Sequence, residues 1–429
     1  MAQFSRSRWT AVVIACLGLL YVLVFIPPNL TGAQDPNMLA AFQIDEFAQF
    51  PYVVQMTNGG DLATAVHNFF YYNHYFYGFP FYLTSALAVL PLRLAAVDPL
   101  LDTTSYMVIL RQLSPLLMVL AIGLLTYTFT GFRRLWPSIF LFGFLLLIPA
   151  VFANNLWWHP ESLTMLFVVI VIFALNKDHL RFGRWFYVAA VAAGLAAGTK
   201  LAGFWFVLTV AVYLILGSQQ NGWKSMLRHG AGFLAVMVLS ILIANPLLLD
   251  HSVRTAIIAT QLDQAARNAF GWYTAAEKGL APWYAAALKP GFGQWWILLL
   301  ALGACVTGVV LPNRQRLLYT IILTWVLPYS LYLVLFVGNQ QTRYLLPIVV
   351  PLLACWATNS STGLTTNGRC EQRSPSWFWQ LLPSKPGCIC VMISACTGPS
   401  CTGRRKARRW LSFRPLMSRC CPPLNPMNH

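Results

Sequence analysis

Long apolar runs separated by short basic segments make up most of the first 357 residues of the chain. The runs lie near residues 9–27, 107–130, 135–153, 162–175, 185–199, 201–217, 230–249, 295–312, 319–337 and 344–357. Apolar runs of this length can cross the hydrocarbon core of a bilayer as helices. The pattern predicts an all-α fold, a polytopic transmembrane helical bundle with about 10–11 spans.

The basic residues indicate which loops face the cytoplasm, where Lys and Arg are enriched. No Lys or Arg occurs between Trp9 and Leu92. The basic clusters between later runs are Arg133-Arg134, Lys177/Arg181/Arg184, Lys224/Arg228 and Arg314/Arg316. We therefore predict a cytoplasmic N-terminus and a large first extracytoplasmic loop over 28–78. The segments 154–161, 199–200, 250–294 and 338–343 then also face the extracytoplasmic side.

One apolar segment, 79–96, conflicts with this alternation. Counted as a span, it would move the next basic cluster, Arg133-Arg134, to the extracytoplasmic side. We interpret 79–96 as a re-entrant or interfacial helix. The alternative is a single exception to the positive-inside rule.

Composition supports a membrane protein. Hydrophobic residues make up 58% of the chain and charged residues only 10%, whereas a soluble domain carries about 25% charged residues. The net charge of +17 comes from loops between apolar runs and from the tail, so it does not predict nucleic-acid binding. We predict an integral protein of the cell (inner) membrane, with membrane lipids as its surroundings.

The character of the chain changes after Ala357. Residues 358–429 contain seven cysteines and ten of the 29 basic residues, and Glu371 is their only acidic residue. No cysteine spacing there is typical of a zinc site. We predict two parts, a membrane body over 1–357 and a basic, cysteine-rich tail over 358–429 that is disordered or read out of frame.

Two adjacent carboxylates in the first extracytoplasmic loop, Asp45 and Glu46, are candidates for catalysis. They are flanked by apolar and aromatic residues, and a carboxylate beside a hydroxyl can act as a general base. A solvated acid pair without a catalytic role is the alternative. The nearby His67 and His74 leave open a divalent metal, although no cofactor is predicted with certainty.

Several motifs, taken in order, resemble those of membrane glycosyltransferases of the GT-C type. The motifs are the Asp45-Glu46 pair, Tyr72-Asn73-His74-Tyr75 through Tyr77-Gly78-Phe79-Pro80, Arg111-Gln112-Leu113-Ser114-Pro115, Gly194 through Gly198-Thr199-Lys200, and Arg343-Tyr344-Leu345-Leu346-Pro347. They are similar to protein mannosyltransferases that use dolichyl-phosphate mannose, and to bacterial lipid A aminoarabinose transferases (glycosyltransferase family 39-like). The resemblance covers about residues 9–357. It departs from the family in its single Pro80 and in the absence of family-like helices or an outside domain after 357.

The resemblance implies an enzyme that transfers a sugar from a polyprenyl-phosphate donor to a lipid, glycan or protein acceptor, with inversion. Asp45 would be the general base, with Glu46 beside it. Residues implied to bind the donor phosphate are Lys200, Arg343 and Arg111, with interfacial anchoring as the alternative for the first two. Residues implied to bind the sugar or the acceptor are His74, Tyr77, Trp158, His159 and Glu161.

Two other functions remain open at this point. A secondary transporter or lipid flippase would place polar groups in mid-span on interrupted helices, with internal repeats. The chain shows no such repeat, and its carboxylates cluster in the predicted outside loops. An inactive, truncated relative of the enzyme is the third alternative.

Overall fold

The computed structural model describes residues 2–99, 101–271 and 277–363. The predicted tail beyond residue 363 therefore lies outside the described residues. Within these ranges the regular structure is helical and contains no strand. The prediction of an all-α fold is confirmed for this part of the chain.

The helices of the first half are α1 (Ala2–Val24), α2 (Ile26–Leu30), α3 (Pro36–Phe42), α4 (Ile44–Met56), α5 (Leu62–Phe70), α6 (Phe79–Leu94), α7 (Thr103–Thr130), α8 (Leu135–Leu146), α9 (Pro149–Asn154), α10 (Glu161–Asp178) and α11 (Arg184–Thr199). Those of the second half are α12 (Phe206–Asn221), α13 (Trp223–Ala244), α14 (His251–Phe270), α15 (Leu280–Trp283), α16 (Lys289–Phe292), α17 (Trp295–Val310), α18 (Arg316–Phe336) and α19 (Leu346–Gly363). Shorter helical turns cover Leu201–Trp205, Pro246–Leu249, Tyr284–Leu288 and Thr342–Leu345.

Several described helices are long and apolar enough to cross a membrane. They are Ser7–Leu30, Thr103–Thr130, Leu201–Asn221, Trp223–Ala244 and Arg316–Phe336, and a sixth forms if Leu280–Phe292 and Trp295–Val310, bent by 82°, count as one. The shorter apolar helices include Phe79–Leu94, Leu135–Leu146 and Thr342–Thr358. The fold is thus that of an integral membrane protein with several spans.

The predicted run 135–153 is divided in the structure. Helix α8 ends at Leu146, and α9 begins at Pro149 after an extended residue, Ile148. Proline cannot donate the backbone hydrogen bond that would continue the first helix, but it is well suited to the first turn of the next one. The apolar run was therefore predicted correctly as helical, whereas its interruption was missed.

Helices α7, α10, α11 and α13 form consecutive packed layers at the centre of the bundle. Gly194 lets α11 and α13 approach closely, because a Cβ atom there would lie 2.5 Å from the Met237 carbonyl oxygen. A buried apolar core joins these helices with α8, α18 and α19. This packing fixes the end of α11, and with it the position of Lys200.

The predicted basic clusters lie together at one end of the bundle, called here the basic end. Four contacts define it: Ser7 with the Gly131 carbonyl (3.5 Å), Gln315 with the Phe129 carbonyl (2.6 Å), Tyr127 with Phe173, and Asn221 with the Leu180 carbonyl (2.8 Å). Helices α10 and α11 run in opposite directions between this end and the other. Glu161 and Lys200 consequently lie at the opposite end, called here the site end.

Helix α6, the ambiguous segment of the sequence, does not cross to the basic end. The N–H of Gly78, just before α6, donates to the Thr199 carbonyl (3.1 Å) at the site end. Just after α6, the Val97 carbonyl accepts from the Tyr106 hydroxyl (2.9 Å), and Tyr106 belongs to the first turn of α7, which runs from there toward the basic end. Both ends of α6 thus lie at the site end, as the re-entrant or interfacial interpretation requires.

Candidate active site

Four segments that are distant in sequence bring charged side chains together at the site end. Asp45 lies in the first turn of α4, and His159 lies in the loop before α10. Glu161 begins α10, Lys200 follows the last residue of α11, and Arg343 lies in the short turn before α19. We call these five residues the charge cluster.

Arg343 is the centre of the charge cluster. Its Nη2 lies 3.3 Å from Asp45 Oδ2, and its Nη1 donates to His159 Nε2 at 2.7 Å. Its Nε lies 3.6 Å from Glu161 Oε1, which also accepts a 2.7 Å hydrogen bond from Lys200 Nζ. Two cations are therefore paired with two carboxylates, and one imidazole lies between them.

The two carboxylates differ in exposure. The Asp45 side chain is 38% exposed, whereas that of Glu161 is 3% exposed. Burial opposes ionisation of Glu161, but Lys200 and Arg343 outweigh it and hold the pKa of Glu161 well below its usual range. Glu161 is thus a permanent buried anion, while Asp45 is accessible to a reactant.

His159 is a neutral member of the charge cluster. Burial, reinforced by the adjacent Arg343, lowers the pKa of His159 to about 3. A neutral imidazole can accept the Arg343 hydrogen bond on one nitrogen. His159 therefore orients Arg343 without adding a third positive charge.

Glu46 and Arg111, predicted as a catalytic residue and a phosphate ligand, form a buried ion pair with each other. Arg111 Nη2 lies 2.6 Å from Glu46 Oε2, and Nη1 donates to the carbonyls of Asn29 and Thr31. The Trp158 N–H donates to Glu46 Oε1 at 2.7 Å. Burial raises the pKa of Glu46, and Arg111 and the Trp158 N–H act against that rise.

The geometry does not support a phosphate contact for Arg111, because all three guanidinium nitrogens have protein partners and the side chain is only 3% exposed. Glu46 is equally inaccessible to an acceptor. The pair instead fixes α4 against α7 and the 157–161 loop, and so holds the neighbouring Asp45 in place. These two residues position the site and are not free to react.

Trp158 also differs from its predicted role. Its side chain is fully buried, its ring stacks on Phe81 at 5.3 Å between centroids, and its Nε1 donates to Ser85 Oγ at 2.9 Å. One ring face and the polar edge thus contact α6, and the whole ring is buried, so stacking on a sugar would require repacking. Trp158 positions the loop that carries His159.

His74 and Tyr77 lie close to Asp45. His74 Nδ1 is hydrogen bonded to the Tyr82 hydroxyl, and its ring contacts that of Tyr52. Burial lowers the pKa of His74 to about 4, so the ring is neutral near pH 7. Burial raises the pKa of Tyr77, whose hydroxyl feels the charges of both Arg343 and Asp45. Both side chains remain partly exposed and available to a ligand.

A cavity of about 410 Å³ adjoins the charge cluster. Its lining includes Tyr77, Lys200 and Tyr344, and the Lys200 ammonium lies 4.2 Å from the centre of the Tyr344 ring. Away from the cluster the lining is mostly apolar and aromatic, and it includes Phe204, Trp205, Ile257, Leu262, Tyr329, Tyr332 and Leu333. Helix α14 contributes several of these residues although it has no buried residue of its own. Lys200 thus gives the cavity one positively charged part, and the rest of its lining is mostly apolar or aromatic.

Asn245 is a site residue that the sequence reasoning missed. Its Oδ1 accepts from the N–H of Phe79 at 2.9 Å, and its Nδ2 donates to the Gly198 carbonyl at 3.1 Å. One buried amide thus joins the start of α6 to the end of α11, next to Lys200. The only signal in the sequence is an Asn-Pro pair that interrupts the apolar run 230–249. Tyr344 belongs to the Arg343–Pro347 motif, but the resemblance implies no role for it.

No group of three or more His, Cys, Asp or Glu side chains suited to a metal occurs in residues 2–99, 101–271 and 277–363. His67 stacks on Tyr71 at 4.3 Å between ring centres. The alternative of a divalent metal thus finds no preformed ligand set in that part of the chain.

A scan of the sequence against models of known protein families finds no matching family. A search of curated proteins also finds no match. The functional interpretation therefore depends on the geometry of the charge cluster and on the motifs that carry it.

Proposed function

We propose that the chain is a membrane glycosyltransferase that uses a polyprenyl-phosphate sugar as its donor. One observation carries the proposal: a partly exposed carboxylate, Asp45, lies 3.3 Å from Arg343, and Lys200 of the same charge cluster lines a cavity that is otherwise mostly apolar or aromatic. A polyprenyl-phosphate sugar likewise combines a polar part with an apolar one, because it carries a phosphate and a sugar at one end of a long hydrocarbon chain. Lys200 and Arg343 supply the cations and Asp45 supplies the base.

The residues fit an inverting displacement. Asp45 would take the proton of the acceptor hydroxyl while the acceptor oxygen forms a bond to the anomeric carbon. The bond from the anomeric carbon to the phosphate oxygen breaks, and the polyprenyl phosphate leaves with the electron pair. Lys200 and Arg343 would stabilise the charge that grows on that phosphate, as preorganised cations do at other phosphoryl leaving groups.

The remaining polar residues near Asp45 fit a sugar subsite. Tyr77 lines the cavity and lies within the influence of the Arg343 and Asp45 charges, and the charge of Asp45 also acts on His74. Both are partly exposed and both can exchange hydrogen bonds with hydroxyl groups. The apolar lining from the Leu201–Trp205 turn, α14 and α18 would hold the first isoprene units of the donor.

The same proposal sets a topology. The basic end would face the cytoplasm, because cytoplasmic loops are enriched in Lys and Arg, and the site end would face the extracytoplasmic side of the inner membrane. The shorter apolar helices, such as α8, α10, α11 and α19, would complete the predicted set of about 10–11 spans by packing inside the bundle. The large first loop, α2 to α6, would then cover the site.

The test uses purified protein in proteoliposomes with the lipid-linked sugars, lipids and proteins extracted from the host membrane, so that both donor and acceptor are present. We expect one lipid-linked sugar to be consumed and the matching polyprenyl phosphate to appear, as followed by mass spectrometry, and we expect Asp45→Asn to abolish the conversion. Movement of intact lipid-linked sugar between leaflets without cleavage would instead identify a flippase. The absence of both changes with every extracted donor would refute the proposal.

A further inference from the structure

Each cation of the charge cluster already has an anionic partner. Lys200 is bonded to Glu161, and Arg343 is shared among Asp45, His159 and Glu161. With His159 neutral, the two positive charges balance the two negative charges. A bound phosphate adds negative charge to this balanced set, so it competes with Asp45 and Glu161 for the two cations.

The ion pairs of Glu161 and Asp45 differ in the free energy needed to separate them. Glu161 is buried at the start of α10, and its Oε2 has no hydrogen-bond partner. Separating Glu161 from both cations would leave an uncompensated buried charge, which is strongly unfavourable. Asp45 is 38% exposed, and its 3.3 Å contact with Arg343 is longer than the 2.7 Å contact that holds Glu161 to Lys200. Water can solvate Asp45 after it separates from Arg343, so this pair opens at the lower cost.

We propose that the donor phosphate displaces Asp45 from Arg343, so that the general base becomes available only after the donor has bound. The inference rests on the proposed function and adds a control step to it. Glu161 keeps Lys200 and Arg343 in place throughout. Arg343 exchanges one anionic partner, the carboxylate, for another, the phosphate.

The exchange has a chemical consequence for Asp45. While Arg343 Nη2 bonds Asp45 Oδ2, that oxygen is not open to an acceptor hydroxyl. When Arg343 turns to the phosphate, the Asp45 carboxylate becomes free to take the acceptor proton. Donor binding thus frees the base, and the productive order is donor first and acceptor second.

The geometry also supplies a path for the exchange. The Arg343 Nε atom has no hydrogen bond in the buried cluster, although it lies 3.6 Å from Glu161 Oε1. The Tyr344 ring lines the cavity, and Arg343 Cζ lies 5.9 Å from its centre, so the guanidinium is close to the space that the phosphate would enter. An arginine suits this role because its planar fork can serve two anions at once.

The test measures binding of farnesyl phosphate, an isoprenoid monophosphate, to the full chain in detergent micelles by calorimetry. Because Asp45 competes with the phosphate for Arg343, Asp45→Asn should tighten binding of the probe by about 1.5- to 5-fold, the range for release of an exposed ion pair. Asp61→Asn removes the same charge from the same loop, outside the cluster, and keeps the capping oxygen of α5. This control should leave the affinity unchanged, and farnesol, which lacks the phosphate, should bind equally to all three proteins.

A double-mutant cycle separates competition from simple charge repulsion. In an Arg343→Gln background, the effect of Asp45→Asn should vanish, because the competed group is gone. If Asp45→Asn still tightens probe binding in that background, Asp45 acts by charge repulsion and the exchange is refuted. The exchange is also refuted if Asp45→Asn alone binds the probe no more tightly than the parent. Arg343→Met replaces the Gln variant if the latter is not monodisperse.

The proposed function fails in a distinguishable way. If the parent protein binds farnesyl phosphate no better than farnesol, it has no phosphate site at Lys200 and Arg343, and both proposals fall. If it binds the phosphate through Arg343 but Asp45→Asn has no effect, only the exchange falls.

Discussion

Arg343 and Asp45 meet at 3.3 Å although 298 positions separate them in the chain. The contact joins the first loop of the protein to the last described helix, and it places a potential base next to a potential phosphate ligand. His159 and Glu161 hold Arg343 from the other side. The chemistry proposed for this protein therefore depends on whether the two ends of the membrane body are correctly assembled.

The first prediction concerns the donor phosphate. Removing one charge-assisted contact costs about 1.5–3 kcal/mol, so Lys200→Met should weaken apparent donor affinity by about 10- to 100-fold. The single change also removes the hydrogen-bonded partner of the buried Glu161 carboxylate. A loss of folding could then be mistaken for a loss of donor binding. The double variant Lys200→Met/Glu161→Gln removes both charges, and its donor KM should stay raised while its thermal stability recovers. A donor KM equal to that of the parent would make Lys200 an interface anchor.

The second prediction concerns the buried pair of Glu46 and Arg111. Arg111→Met leaves the Glu46 carboxylate buried without its partner, a change that typically costs 3–5 kcal/mol. We expect a large loss of monodisperse protein and a lower Tm, with recovery in Arg111→Met/Glu46→Gln. Arg267→Ala, at the exposed pair with Asp263, is the control and should change the free energy of unfolding by less than about 1 kcal/mol. Equal effects of the two single variants would contradict the positioning role.

The sequence predicted where each charged residue lies along the bundle but not how the charges pair. The apolar and basic pattern placed Asp45, Glu161, Lys200 and Arg343 at one end, and the structure brings these four together. The pattern reports only the environment along one segment, so it carried no information about partners. For the same reason Glu46 looked as reactive as Asp45, until the fold placed Arg111 against it.

Local interruptions and buried polar links were also beyond the sequence reasoning. The break at Ile148 and Pro149 was missed because an apolar run continues through it. Asn245 was missed because a single amide at the end of a hydrophobic run resembles an ordinary helix end. The location of both ends of α6 at the site end was predicted only because counting 79–96 as a span would have placed Arg133-Arg134 on the extracytoplasmic side.

A third prediction uses the lowered pKa of His159. The pKa is about 3 in the folded protein and about 6.5 in an unfolded chain. Below pH 6.5 the unfolded chain binds a proton that the folded protein does not, so stability is complete above pH 6.5 and falls as the pH decreases toward 3. At pH 5 the loss from this residue is about 2 kcal/mol. The decline in Tm between pH 7 and pH 5 should be shallower in His159→Gln.

The control for the pH experiment is His251→Gln, at an exposed position in the first turn of α14. Its profile should match that of the parent. Burial lowers the pKa of His74 to about 4, so His74 also makes the protein less stable as the pH falls. The Tm of the His159 variant should therefore still decline between pH 7 and pH 5, but less steeply than that of the parent. An unchanged slope in His159→Gln would mean that this imidazole titrates normally in the folded protein.

A fourth prediction tests the topology with single cysteines in a background that lacks the native ones. Gly60→Cys is suited to the first loop, because a Cβ atom there meets nothing within 4 Å. Gln220→Cys lies at an exposed position near the basic end. In intact cells an impermeant maleimide should label residue 60 and should label residue 220 only after lysis. The reverse pattern would place Asp45 in the cytoplasm.

The last prediction is the loss of catalysis in Asp45→Asn. The change keeps the size of the side chain and one hydrogen-bond acceptor but removes the proton acceptor, and general-base catalysis typically contributes 10²–10⁴-fold. We expect kcat for sugar transfer to fall by about that factor, while donor affinity improves as the exchange at Arg343 requires. Glu46→Gln should instead lower stability and activity together, since Glu46 is buried against Arg111. The measurement is single-turnover transfer from a lipid-linked sugar, with thermal unfolding of each variant in parallel. A decline in kcat that follows the decline in Tm would show that Asp45 acts only as a structural partner of Arg343, whereas loss of kcat in a fully stable protein requires a chemical role.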